Sequence, residues 1–198
     1  MAAMTGYPRS SKMLNDEVLL SEEAIVTVGR EEIDWLKAQA ARNPRKRVRL
    51  CAHTGLEDRI HEMLIVHARE TYIRPQKHLN KTESVHLIEG AVDVVMMNEH
   101  GHLLEVIPMR DAASGGPFYY RIAEPYYHTM FIRSDFVVFH ETTNGPFVRT
   151  DTVFAPWSPP DDDGAAIRQF MDQLAGRVEA FRTATRRGGR HEAETLLR

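Results

Sequence analysis

From Val48 to Trp157 the chain is a succession of short apolar segments, each ended by turn-forming residues. The segments are Val48–Ala52, Glu62–Ala68, Thr71–Ile73, Ser84–Glu89, Ala91–Asn98, Leu104–Pro108, Tyr119–Ile122, His128–Ile132 and Phe136–His140. Between them stand Glu89-Gly90, Asn98–Gly101, Ser114–Pro117, Ser134-Asp135 and Thr143–Pro146, all rich in Gly, Pro, Asn, Asp or Ser. Many short strands at close spacing cannot each bury a face alone. They are stable only when wrapped into a two-layer sandwich or a barrel.

The flanks read differently. Val18–Leu20 and Ala24–Val28 suit short edge strands. Glu31 to Arg42 predicts a helix: Ile33, Leu36 and Ala40 share one face, acids occupy the first turn, and Asn43-Pro44 stops it. After the Pro/Asp-rich stretch 156–163, Ile167, Phe170, Met171, Leu174, Val178 and Phe181 recur at helical spacing, predicting a helix over about 164–187. The expected organisation is a flexible tail at 1–17, a strand and helix packing on the β unit at 18–47, the β unit itself at 48–158, and a C-terminal helix and frayed tail at 159–198.

Charge and cysteine content narrow the function classes. The 198 residues carry a net charge of −3 with histidines neutral. Neither nucleic acid nor an anionic membrane is an expected partner. No apolar run approaches the roughly 20 residues that span a bilayer. Met1 to Lys12 lacks the apolar stretch of a signal peptide, and a cytoplasmic location is expected. Cys51 is the single cysteine, so no intrachain disulfide forms. Phosphate loops, Cys-x-x-Cys pairs and nucleophile elbows are absent. Arg45-Lys46-Arg47-Val48-Arg49 places four cations in five residues, read as a solvated strand edge or an anion-facing patch.

The chemistry concentrates between Tyr72 and Gly90. On an extended strand Gln76 and His78 point to the same face, and Tyr72 and Arg74 share that parity. A short turn then delivers Glu83 on the next strand. In a second segment Pro125 sets a turn and His128 opens the following strand. Gln76, His78, Glu83 and His128 are therefore candidate ligands for one divalent metal. Imidazole nitrogens with one carboxylate suit iron, manganese, nickel, copper or zinc. His86 falls on the opposite face from Glu83 and is expected to be structural or at the surface. His100, His102 and His191 are expected to be exposed.

This spacing resembles the first cupin motif, in which two histidines flank one residue, a glutamate follows and a glycine closes the segment, as Gly90 does here. Pro125 and His128 resemble the second motif. The runs Arg45–His53, Tyr72–Gly90, Phe139–Phe147 and Phe154–Pro159 are similar to the WbuC family of cupin-fold metalloproteins, over residues of about 25–160. The resemblance implies a mainly β fold: a cupin, or double-stranded β-helix (jelly-roll) barrel, with an N-terminal and a C-terminal helix. It also implies a metalloprotein linked to surface-polysaccharide biosynthesis, with homodimers frequent. Gln76 departs from the pattern, which has His there. An amide oxygen is a weaker, harder donor with no titrating proton.

Other residues receive roles in this frame. Arg74, with Tyr72 and Tyr120, is expected to hold an anionic or polar substrate group; the structural alternative for Arg74 is a salt bridge to Glu62 or Glu89. Tyr127, His140 and Glu141 are expected to move protons, although His140 and Glu141 lie on opposite faces, so at most one points inward. Three functions stay open: a metal-dependent isomerase or epimerase on a sugar or nucleotide-sugar, an iron-dependent oxygenase, and a non-catalytic binder of a sugar or metabolite.

Overall fold

The computed structural model describes residues 10–196, with side chains for 10–185. The expectations for residues 1–9, for 197–198 and for the His191 side chain fall outside the described residues. The strands are β1 (Ser11–Asn15), β2 (Val18–Ser21), β3 (Arg47–Cys51), β4 (Ile60–Ala68), β5 (Gln76–His78), β6 (Glu83–Glu89), β7 (Ala91–Met97), β8 (Leu103–Arg110), β9 (Tyr119–Ile122), β10 (Tyr127–Ile132), β11 (Phe136–Asn144) and β12 (Thr152–Phe154). Helix α1 spans Arg30–Arg42 and α2 spans Gly164–Leu196.

One sheet runs β1-β2-β3-β4-β11-β6-β9 and the other β12-β5-β10-β7-β8. Every pairing is antiparallel except β2 with β3. From β4 to β11 the chain crosses back and forth, placing β4, β6, β9 and β11 in one sheet and β5, β7, β8 and β10 in the other. Strand orders β4-β11-β6-β9 and β5-β10-β7-β8 are those of a jelly roll. The expected barrel does not close. β1, β9, β12 and β8 remain sheet edges, and the unit is a sandwich.

Side-chain alternation sorts the apolar residues into three layers. Ile65, Leu87, Val137 and Phe139 of one sheet meet Val94, Met96, Met130 and Ile132 of the other between the sheets. Outside the larger sheet, Ile33, Leu36 and Ala40 of α1 cover Leu50, Leu64, Val66 and Val138. Outside the smaller one, Leu174 and Val178 of α2 cover Val95, Met97 and Tyr127. Each fully buried Leu contributes about 1.5–3 kcal/mol. Helix α1 begins with the Glu32 side chain accepting the Gly29 N–H at 2.7 Å and ends with Asn43 in extended backbone ahead of Pro44. Asp93 has no exposed surface and meets Arg133 at 2.6 Å, Arg182 of α2 at 2.7 Å and Arg110 at 3.7 Å. Gly90 crosses between sheets at φ 95, and a Cβ there would lie 2.4 Å from the Phe136 carbonyl oxygen.

Several expectations are corrected. Ala24–Val28 and Thr71–Ile73 are not strands. Residues 11–15, expected within the tail, pair with β2 as an edge strand. The two short strands β5 and β12 pair with each other. Two cations of the run are ion-paired, Arg47 to Glu17 at 2.8 Å and Arg45 to Glu17 at 3.5 Å and to Asp161, while Arg49 is exposed, as a solvated strand edge requires.

Candidate metal centre

Strand register brings the candidate residues to one end of the sandwich. In the smaller sheet, β5 lies between β10 and β12, with Gln76 opposite both His128 and Phe154 and His78 opposite Thr152. In the larger sheet, Glu83 begins β6, opposite Ile122 of β9 and Thr143 of β11. Val85 and Leu87 share Glu83's parity and belong to the interior, as do Met130 and Ile132 with His128. Glu83 from one sheet therefore faces the two histidines from the other.

The Glu83 carboxylate is 3.4 Å from His78 Nε2 through Oε2 and 3.5 Å from His128 Nε2 through Oε1. The imidazole centroids are 5.4 Å apart. One donor atom from each of His78, Glu83 and His128 lies within 4.8 Å of the other two. The remote nitrogens are tied off. His128 Nδ1 is 3.1 Å from the Tyr126 carbonyl oxygen, which can only accept, so Nδ1 carries the proton and Nε2 presents its lone pair to the centre. His78 Nδ1 is 3.1 Å from the Thr152 hydroxyl.

Electrostatics supports the same assignment. Burial pushes the Glu83 carboxyl up to about 7, opposed by a hydrogen bond from the Tyr120 hydroxyl at 3.4 Å. Burial lowers His78 to about 4, helped by His128 and Lys81. His128 is lowered as well, again chiefly by burial. Two neutral imidazoles and one buried carboxyl turn their donor atoms toward a common point, a set that fits a divalent ion.

The cavity at the triad is about 10 Å³, lined by His78, Lys81, Glu83, Ile122, Glu124, Tyr126 and His128. It has room for an ion or a single water. A larger groove of about 270 Å³ lies at the end of α1 among Lys46, Ala68, Arg69, Asp135 and Phe136, and none of the triad lines it.

The other expected site residues divide. Tyr120 and Glu141 face the interior. Glu141 is held up at about 8 by burial and by Glu83, against the pull of Arg49 and His128. Gln76 is half-buried and directly opposite His128. Tyr127 points the other way, into the layer under α2, edge-on to Trp157 at 5.6 Å and beneath the Lys77 ammonium. That follows from alternation, since its neighbour His128 faces inward. His140 is outside, 4.0 Å from Glu62. Arg74 and Tyr72 do not share the parity of His78. The backbone is irregular at Pro75, Ile73 faces the core, and both side chains are spent on the segment after β12. Arg74 donates to Ser158 Oγ at 3.1 Å and its carbonyl at 3.3 Å, over the Phe154 ring, and Tyr72 donates to the Pro159 carbonyl at 3.1 Å. Neither Glu62 nor Glu89 pairs with Arg74; Glu89 is held by Arg30 and Lys37.

Sequence reasoning did not identify Thr152 or Lys81 as parts of the centre. Lys81 carried a signal, as a cation in the turn joining two ligand strands. Thr152 is 74 residues from His78 and no local pattern links them.

The model of a domain of unknown function, DUF6016, matches residues 28–109. No curated protein matches. Among solved structures the chain is similar to protein SO0799 from Shewanella oneidensis, at 11% identity and TM-score 0.45, covering 54% of this chain and 72% of that one. It is also similar to the capsular polysaccharide assembling protein CapF from Staphylococcus aureus, at 18% identity and TM-score 0.41, covering 50% and 27%. An oxalate oxidase in complex with glycolate matches at 14% identity and TM-score 0.44, covering 58% and 57%. These likenesses are too distant to speak for function, and the jelly-roll assignment rests on the strand connectivity.

Proposed function

We propose that this chain is a cupin metalloprotein that binds one divalent cation through His78, Glu83 and His128 and uses it on a polar small molecule of the sugar or nucleotide-sugar class. The observation that carries the reading is the convergence of three donors, from two sheets, inside 4.8 Å. Its supports are the backbone carbonyl that fixes the His128 tautomer and the burial of the Glu83 carboxyl against two imidazole nitrogens. A bound divalent ion supplies Lewis acidity toward a substrate oxygen. Gln76, opposite His128, offers an amide oxygen as a fourth contact to the ion or to its water.

The protein's own residues do the rest. Glu141 is inward-facing, with its carboxyl raised by burial and by Glu83, so it is our assigned proton donor, in place of Tyr127 and His140. Tyr120 orients Glu83. Because the cavity is about 10 Å³, a ligand reaches the centre by its oxygen tips, and its body rests on the rim of Ile122, Glu124 and Tyr126. The resemblance of the Tyr72–Gly90 and Phe139–Phe147 runs to WbuC proteins supports a place in surface-polysaccharide biosynthesis, in the cytoplasm and as a homodimer.

Elemental analysis of the native protein tests the metal. About one equivalent of a divalent ion is expected, lost in His78→Ala. Purified protein that takes up none of iron, manganese, nickel or zinc ends the reading. One observation favours a second function. The strong donors are two imidazoles and one carboxylate, the set of non-haem iron oxygenases with open positions for oxygen and substrate. Turnover with ferrous iron that requires oxygen would select it.

A further inference from the structure

The turn between β5 and β6 decides how far His78 stands from Glu83, and it has little structure of its own. Asn80 sits at φ 57, in the left-handed region. The Leu79 N–H leaves the turn to reach the Asp151 carbonyl at 2.7 Å. What closes the turn is Asn144, the last residue of β11, one position beyond the pairing of Thr143 with Glu83. Its Oδ1 accepts the Thr82 N–H at 2.7 Å, its Nδ2 donates to the Asn80 carbonyl at 3.1 Å, and its own carbonyl accepts from the Lys81 ammonium at 2.7 Å. Lys81 also donates to the Pro146 carbonyl at 2.7 Å.

The base of this clamp is itself fixed. The Gly145 N–H donates to the Arg59 carbonyl at 2.8 Å, and a Cβ at Gly145 would lie 1.7 Å from the Asp58 carbonyl oxygen and 2.8 Å from His61 Nε2. Only glycine permits that approach, so Asn144 is presented from backbone that cannot back away. The same residue ends one strand, ties the turn by both side-chain groups, and seats the one lysine that lines the metal cavity.

We infer that Asn144 is a positioning residue of the metal centre: it holds turn residues 80–82 so that His78 and Glu83 converge, and it sets the Lys81 ammonium at the cavity mouth. The inference rests on the metal-binding reading above.

Cobalt(II) binding to the full chain tests it, read by titration and by the visible d–d spectrum, beside melting of the metal-free protein. Asn144→Ala is expected to weaken cobalt binding by about 10- to 100-fold, the usual effect of losing a group that orients ligands, and to change the spectrum. Its metal-free melting temperature should fall by only a few degrees. Wild-type affinity and spectrum in Asn144→Ala would overturn the inference while leaving the metal centre intact. Lost binding together with a metal-free melting temperature lower by ~10 °C or more would overturn it in favour of a purely structural role. A wild-type chain that binds no cobalt would overturn the metal reading and the clamp with it.

Discussion

Glu83 and His78 belong to opposite sheets, yet their carboxylate and imidazole are 3.4 Å apart at the end of the sandwich. The two are only five positions apart in sequence, and the turn between them carries the chain across the interior. Their approach is the local event from which the rest of the centre follows.

Removing either partner, or His128, should abolish metal-dependent stabilisation. A ligand that binds only the folded state raises stability by about 2.7 kcal/mol when present at a hundred times its dissociation constant. Thermal unfolding with and without excess metal should therefore show a rise in the wild type and none in Glu83→Ala, His78→Ala or His128→Ala.

Metal affinity should depend on pH with a definite sign. The metal-free Glu83 carboxyl is held at about 7 by burial, so below that pH a proton must leave before an ion can bind. Affinity should rise about tenfold per pH unit up to pH 7 and flatten above it. In metal-free protein the same raised value works the other way. Folding favours the protonated carboxyl, so the Glu83 contribution is fully present below its unfolded value near 4.5 and is lost as pH rises through about 7. Titrations at pH 5.5, 6.5, 7.5 and 8.5 check both statements.

Tyr120→Phe isolates one bond in that balance. The hydroxyl donates to Glu83, which favours the ionised carboxylate. Without it the midpoint of the metal-binding pH profile should move upward, at a stability cost of about 1 kcal/mol. An unmoved midpoint would show that the tyrosine only fills space.

Gln76→His should add an imidazole opposite His128 and raise affinity for nickel or zinc by about tenfold, since imidazole is the better donor to both. Gln76→Ala should weaken binding far less than any triad substitution. Competition with a chromophoric chelator gives both numbers.

Asp93→Ala tests the architecture apart from the site. It strips the shared partner from Arg110, Arg133 and Arg182, one of them on α2. Breaking a buried pair costs about 3–5 kcal/mol, and the lower end applies because the guanidiniums keep some contact with water. Urea unfolding measures the loss.

Much of the sandwich was legible because alternation and turn residues act locally. Ile33, Leu36 and Ala40 marked the buried face of α1, and β6, β7, β9, β10 and β11 were each anticipated near their true positions. His78, Glu83 and His128 were found from spacing, and the structure brings them together. What failed did so where the strand period breaks or a distant segment intervenes. Pro75 shifts the register between Ile73 and Gln76, which sends Arg74 and Tyr72 away from the centre to Ser158 and Pro159. Tyr127 was misjudged against its own alternation with His128. The short strands β5 and β12 exist only through each other and β10, so neither window shows a strand by itself. Asn144 lies within the run Phe139–Phe147, but its contacts with residues 80–82 are more than sixty positions away and invisible to any window.

The division of the triad between layers reaches beyond chemistry. Two imidazoles ride on one wall and the carboxylate on the other, so an ion seated among them acts as a rivet through both. Occupancy should then be readable far from the site, in slower amide exchange at the facing strands and in longer survival under protease.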